Sequence, residues 1–169
     1  MPRVEFRVSI TQTALTVRGG DHVEFLISAN PGEPVKPIAQ IASGGELSRI
    51  MLAIKAVMAE TDDIDTLIFD EVDAGISGHA AVKVGIKLRQ TAAHRQILCV
   101  THLAQIAARG HHHLLIQKTV KDGRTCTTVL PLDAEGSERE LARIIGGSVT
   151  NATLQAAHEM RTDGQKEQA

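Results

Sequence analysis

The sequence predicts an α/β protein: a parallel-sheet core with flanking helices, an antiparallel meander at the N-terminus and a hairpin towards the C-terminus. Three patterns carry this expectation. Apolar and polar residues alternate through the first thirty residues, as they do in half-exposed strands. Two short apolar runs, Thr66 to Phe69 and QILCVTH at 96–102, have the unbroken character of strands covered on both faces of a parallel sheet. Around them the apolar period lengthens to that of amphipathic helices.

Each element follows from local residue chemistry. Val4, Phe6, Val8 and Ile10 share one face of a first strand, with Glu5, Arg7 and Ser9 on the other. Further strands are expected over Ala14 to Arg18 and His22 to Ser28, turning at Gly19-Gly20-Asp21, and Asn30-Pro31-Gly32 closes the meander. Pro34 and Pro37 keep the next stretch extended. A helix then starts near Ser43 or Gly44 and ends near Glu60, with Leu47, Ile50, Met51, Ile54, Val57 and Met58 as its apolar stripe. After Thr66 to Phe69 come a loop of small residues and a helix from about Gly78 to Ala93. The run 96–102 leads into a short helix, Leu103 to Ala108. His113 to Thr119 and Thr125 to Leu130 flank Lys121-Asp122-Gly123-Arg124, whose Asp-Gly pair favours a tight turn. Ser137 and Glu140 have capping-box spacing ahead of a last helix containing Leu141, Ile144 and Ile145, with Gly146-Gly147 as its stop. The polar sequence beyond Met160 is expected to fray. One domain is expected over residues 1–162, with 163–169 as a polar tail.

Bulk composition narrows the function classes. The chain has 169 residues, 43% of them hydrophobic, enough for one real core, and a formal charge of −2 gives no global field that selects nucleic acid or membrane. Its two cysteines, Cys99 and Cys126, lie in strand-like runs and are expected to be reduced and buried, which fits a cytoplasmic protein. The N-terminal MPRVEFRVSI lacks the long apolar region of an export signal, and no apolar run reaches the roughly 18 residues of a membrane span.

Three stretches can carry chemistry. Ser43-Gly44-Gly45-Glu46 has the S-x-x-E spacing of a capping box; a helix start flanked by glycines can equally offer its amides and dipole to an anion, and the two readings are compatible. It is no phosphate loop, because no lysine follows the glycines. In TLIFDEVDAGISG, residues 66–78, an apolar strand ends on Asp70 and Glu71. A carboxylate at the C-terminal edge of an α/β sheet suits a hydrated magnesium ion, and a second beside it can polarise an attacking water. A solvated strand end or the cap of the next helix is the plain alternative. In CVTHLAQ, a second apolar strand ends at Thr101 and His102; if it lies beside the first, His102 emerges on the same edge and can contact a terminal phosphate. The run His111-His112-His113 and the isolated His94 have no zinc-site spacing.

Taken in order, ASGGELSR, TLIFDEVDAGISG and CVTHLAQIA resemble the second half of an ABC-type ATPase head, and most closely the RecN family of bacterial SMC-like DNA repair proteins. The likeness extends through RGHHHLLIQK and LARIIGG. It implies the C-terminal lobe of a P-loop NTPase head, with ATP and Mg2+ as cofactors. It also implies which residues act. Ser43, Gly44, Gly45 and Glu46 match the signature motif, which contacts the γ-phosphate of a nucleotide held by an opposing head. Asp70 matches the Walker B aspartate that supports magnesium through water, Glu71 the base that positions or deprotonates the attacking water, and His102 the switch histidine. Asp73, Ala74, Gly75, Ile76 and Ser77 match the D-loop, whose small residues let two heads approach.

The departures from the family pattern matter as much. Neither a Walker A loop nor a Q-loop glutamine is present, and no heptad segment occurs, so the resemblance implies a partner half bearing Walker A and a coiled-coil arm between the halves. It further implies a homodimer of heads, DNA engagement through the complete protein during double-strand break repair, no membrane, and a bacterial, nucleoid-associated location. Ala42 stands where many ABC proteins have leucine. A non-catalytic dimerisation module of the same architecture is the alternative, and an independent metal-dependent phosphohydrolase a third reading. Without the Walker A half, an apolar surface and a sheet edge are expected to lie open.

Overall fold

The computed structural model describes residues 4–28, 32–41, 43–58, 63–121 and 123–166. At the N-terminus β1 (Glu5–Thr16) pairs antiparallel with β2 (Gly19–Ser28), and β3 (Lys36–Pro37) adds to the other edge of β2. The two strands expected over Val4 to Ile10 and Ala14 to Arg18 are therefore one, interrupted by a register irregularity between Gln12 and Thr16. Its turn falls at residues 17 and 18, before the glycine pair, because Gly19 at φ 108 takes the left-handed conformation on leaving the turn. Asn30 and Pro31 lie outside the described residues.

The core is built on β4 (Thr66–Phe69) and β5 (Gln96–Cys99), parallel neighbours in register from Thr66 opposite Gln96 to Phe69 opposite Cys99. The helices α1 (Gly44–Val57), α2 (Gly78–Thr91) and α3 (Ala104–Ala107) contribute to one cluster of Leu52, Leu67, Phe69, Val72, Ala81, Leu88 and Ile106. Full burial of each large side chain there contributes about 1.5–3 kcal/mol. Strand alternation turns Leu67 and Phe69 into this cluster and leaves Ile68 71% and Leu98 41% exposed. The sheet is thus covered on one face where the sequence led us to expect two, and β5 stops at Cys99 rather than His102.

The apolar stripe of α1 also faces differently from expectation. Leu52 is the buried side chain, whereas Ile50, Ile54, Val57 and Met58 line an open apolar groove of about 760 Å³ opposite Phe6, Phe25 and Ile27 of the N-terminal sheet. The helix ends at Val57, and Glu60 lies outside the described residues. At its other end α1 is seated on the loop after β4. A Cβ at Gly45 would lie 2.8 Å from Ala74 Cβ and 2.9 Å from Ala74 O, so only glycine permits this approach.

Towards the C-terminus β6 (His113–Lys121) and β7 (Arg124–Leu132) form an antiparallel hairpin. Gly123 takes φ 73 in its turn, and Asp122 lies outside the described residues. Leu114, Ile116 and Val129 are more than half exposed on it, and Cys126 is exposed where burial was expected; Cys99 is partly buried. The helix α4 (Ala134–Gly146) begins one turn before the expected cap: the Asp133 carboxylate accepts the Gly136 N–H at 2.7 Å. Ser137 is consequently a buried helical residue, and Glu140 pairs with Arg143 at 2.6 Å instead of capping. Gly147 closes α4 in the left-handed conformation at φ 73.

The last helix, α5 (Asn151–Lys166), continues past Met160, where fraying was expected. Thr150 and Thr153 cap it reciprocally at 2.8 and 3.2 Å, and Gly164 packs so closely that a Cβ would sit 2.9 Å from Ala108 O. Ala104, Ala108, Leu141, Ala142 and Ala157 form the second buried cluster, joining α3, α4 and α5.

Three outcomes follow from this packing. The chain by itself should self-associate through its open apolar faces, and Ile68→Lys should reduce association in light scattering while changing stability by no more than about 0.5 kcal/mol. A monodisperse parent at all concentrations would contradict this. Gly45→Ala should destabilise by about 1–3 kcal/mol in denaturant unfolding, because backbone and Ala74 must give way together. The His113 Nε2–H donates to Ala107 O at 2.8 Å, and burial pushes the ring's pKa below the ordinary value. The unfolded chain then binds a proton that the folded chain resists, so stability falls as pH drops below about 6.5. His113→Gln should flatten that part of the melting-temperature profile.

Candidate functional site

Parallel pairing fixes where the two strand ends emerge. Phe69 lies opposite Cys99, and the Val100 N–H donates to Phe69 O at 3.0 Å, so Asp70-Glu71 and Thr101-His102 leave the same sheet edge side by side. The N-terminus of α1 meets them there. A cleft of about 370 Å³ is lined by Ser43, Gly44, Gly45, Asp70, Glu71, Asp73, Ala74, Val100, Thr101 and His102. Sequence segments up to 59 positions apart thus share one small volume, as the count from Ser43 to His102 gives.

The signature stretch behaves as a helix start without the expected capping bond. Ser43 occupies the N-cap position, but its hydroxyl makes no cap hydrogen bond. The Glu71 carboxylate instead rests on Gly44, where any Cβ would strike its Oε2. A carboxylate near a helix N-terminus is electrostatically favoured. Glu46 is turned away from this cleft towards the larger apolar groove.

The loop after β4 is held under backbone strain. Glu71 has φ 57, a left-handed conformation that costs a non-glycine residue about 1–2 kcal/mol. Its N–H donates to Asp70 Oδ1 at 2.8 Å, and the Ala74 N–H donates to Glu71 O at 2.9 Å, which together define the turn. Asp70 Oδ2 takes no part in that bond. Strain of this kind persists only where surrounding contacts over-determine it.

Those contacts come from α1. Ser48 Oγ donates to Asp70 O at 2.7 Å, and Arg49 Nη1 donates to Ala74 O at 2.7 Å and to Val72 O at 3.3 Å. Neither Ser48 nor Arg49 was singled out from the sequence. The available signal was helical spacing: Arg49 lies one turn after Gly45, on the face that meets the loop.

Asp73 is turned inward. It is 4% exposed, and its Oδ2 accepts from Thr101 Oγ1 at 2.6 Å, from the His102 N–H at 2.9 Å and lies 3.0 Å from His102 Nδ1. The His102 side chain is 75% exposed towards the cleft. Within the expected D-loop, Ile76 also packs inward on the core, whereas Gly75 and Ser77 face solvent. Beneath the strand ends, burial first and then the charges of Asp73 and Asp70 push the Cys99 thiol up to about 12, so it stays protonated. Among the described residues no group of three His, Cys, Asp or Glu side chains is placed to hold a metal ion directly. The run at 111–113 ends with the His113 ring against Ala107 O. No described helix is long and apolar enough to cross a membrane.

Comparison with known proteins places the chain among its relatives. No family model matches the chain. The "DNA repair protein RecN" of Vibrio cholerae is 48% identical over 163 residues, covering 95% of this chain and 29% of that protein. The protein of the same name from Bacillus subtilis is 48% identical over 147 residues, covering 86% and 26%, and that of Deinococcus radiodurans 46% over 158 residues, covering 94% and 28%. The chain therefore spans between a quarter and a third of the length of these relatives. Among solved structures, the Smc head domain with a coiled coil and joint from Pyrococcus yayanosii has a TM-score of 0.60 at 22% identity, covering 83% of this chain and 26% of that one. That likeness shows the fold, that of an Smc head domain. Nearly half of its residues being identical to these proteins over almost its whole length, the chain belongs to the RecN family of SMC-like DNA repair proteins and corresponds to a C-terminal portion of them.

Proposed function

We propose that this chain supplies one half of the nucleotide site of an ATP-hydrolysing, SMC-like DNA repair protein. The observation that carries the reading is the single cleft in which the α1 N-terminus, Asp70, Glu71 and His102 converge. In this reading residues 1–162 form the C-terminal lobe of the head, and a Walker A-bearing half of the same protein covers its open sheet face. The complete protein, a dimer of heads, then engages DNA in the bacterial nucleoid.

The residues fit the cofactors the family implies. Asp70 keeps Oδ2 free of its bond to the Glu71 amide, as a carboxylate that holds hydrated Mg2+ through water requires. When bound, Mg2+ neutralises charge on the phosphates of ATP. Glu71 is exposed beside Asp70 and can accept a proton or a hydrogen bond from a water aligned for attack. Ser43, Gly44 and Gly45 present the α1 amides to a γ-phosphate held by the opposing head, with Glu46 behind them. His102 contacts a terminal phosphate from the strand end beside Asp70. Gly75 and Ser77, exposed on the D-loop, face the second head, while Asp73, Ala74 and Ile76 anchor the loop to its own head.

Expressed together with its Walker A-bearing half, the chain should hydrolyse ATP, and Glu71→Gln should lower turnover roughly 10²- to 10⁴-fold while nucleotide binding is retained. Full activity after this substitution would remove the proposed base. Dimerisation without nucleotide binding would favour the non-catalytic module, and metal-dependent turnover by the chain alone would favour a phosphohydrolase.

A further inference from the structure

The buried Asp73 carboxylate has no direct access to a nucleotide, yet every bond it makes ends on the segment that carries His102. One oxygen, Oδ2, gathers the Thr101 hydroxyl at 2.6 Å, the His102 backbone N–H at 2.9 Å and His102 Nδ1 at 3.0 Å. Thr101 Oγ1 in turn accepts the Leu103 N–H at 3.1 Å. Burying a carboxylate is costly unless such donors surround it. Here they fix both the backbone and the ring of one residue.

We infer that Asp73 is a positioning residue that sets the orientation and tautomer of His102 and links them to the signature helix. This rests on the ATPase reading of the cleft. An ionised carboxylate only accepts, so the hydrogen on His102 must sit on Nδ1, which leaves Nε2 directed away from Asp73. In the neutral ring Nε2 carries a lone pair and would repel a phosphate oxygen. In the imidazolium both nitrogens donate: Nδ1–H to Asp73 and Nε2–H to the phosphate, with the ring charge lying between two anions. In that state Asp73 holds the ring so that Nε2–H is aimed at the phosphate, and the added proton comes from solvent.

The backbone on either side of Asp73 is fixed by a different element. Arg49 holds the carbonyls of Val72 and Ala74, the residues before and after it, and Arg49 projects from the helix whose first turn is Gly44-Gly45-Glu46. A contiguous path of contacts runs from the signature turn through Arg49 and Asp73 to the His102 ring. Movement of α1 against the loop therefore changes the aim of His102, even though the two never touch directly in this path.

The test is a double-mutant cycle in the complete ATPase, with imidazole spectra from this chain as an independent arm. Asp73→Asn should lower kcat roughly 10- to 100-fold with KM for ATP little changed, the size usual for a group that orients a site residue through hydrogen bonds. In a His102→Ala background the same substitution should change kcat less than about twofold, since it has no ring left to orient. An equal loss in both backgrounds overturns the inference and leaves Asp73 a structural residue. In 15N-histidine-labelled chain at a pH where the ring is neutral, His102 should be protonated at Nδ1, and Asp73→Asn should move it towards the Nε2 form. An Nε2-protonated ring in the unsubstituted chain overturns the pairing whether or not Asp73→Asn folds. Absent turnover in the unsubstituted complete protein overturns the ATPase reading instead, and the spectra still decide the pairing.

Discussion

The seat of α1 on the loop after β4 is the constraint from which the rest of the site follows. Ser48 and Arg49 bind three carbonyls of that loop, at Asp70, Val72 and Ala74, and Gly45 allows the helix to approach until it touches Ala74. Three backbone acceptors that would otherwise be unsatisfied beside the core are thereby paired. The left-handed Glu71 is tolerated because the residues around it are held from above by these bonds and from below by Phe69 and Val72 in the core. Without the seat, the carboxylates would sit on an ordinary solvated strand end.

A second consequence concerns what this lobe leaves open. Leu67 and Phe69 are buried while Ile68 and Leu98 on the reverse face are exposed, the β6–β7 hairpin is apolar yet more than half exposed at Leu114 and Ile116, and the stripe of α1 lines an open groove. Surfaces of this kind are seldom left to water in a soluble domain. Apart from Glu46, which borders the α1 groove, the signature turn, the acids and His102 line the separate cleft, which covering these surfaces leaves free for a nucleotide. The lobe therefore separates a face suited to intramolecular packing from an edge suited to chemistry.

Much of this was legible in the sequence, for identifiable reasons. Strand ends carrying Asp70-Glu71 and Thr101-His102 were expected to share an edge if the two continuous apolar runs lay side by side, and the parallel register shows that they do. Glycine at the head of an amphipathic run marked the start of α1. What was not legible depended on tertiary context. The stripe Ile50, Ile54, Val57 and Met58 has the period of a core face but lines a groove, since period reports an apolar surface without saying what meets it. Ser137 and Glu140 matched a capping pattern that Asp133 supplied one turn earlier. Asp73 sat in a loop read as facing a second head, and only the neighbouring strand shows that its carboxylate points inward to Thr101 and His102. Polar residues beyond Met160 looked free to fray, whereas the close approach of Gly164 to Ala108 ties the helix down.

The most direct test of this account is amide hydrogen exchange across residues 70–77 and 101–103 in the parent chain and in Arg49→Met, which keeps the length of the side chain and removes its donors. If the α1 clamp organises the site, exchange should accelerate in both segments together while β4, β5 and the core of α2 keep their protection. Unchanged exchange at 70–77, or acceleration there with 101–103 unaffected, would contradict the claim that one helix seat holds the acids and the histidine in a common geometry.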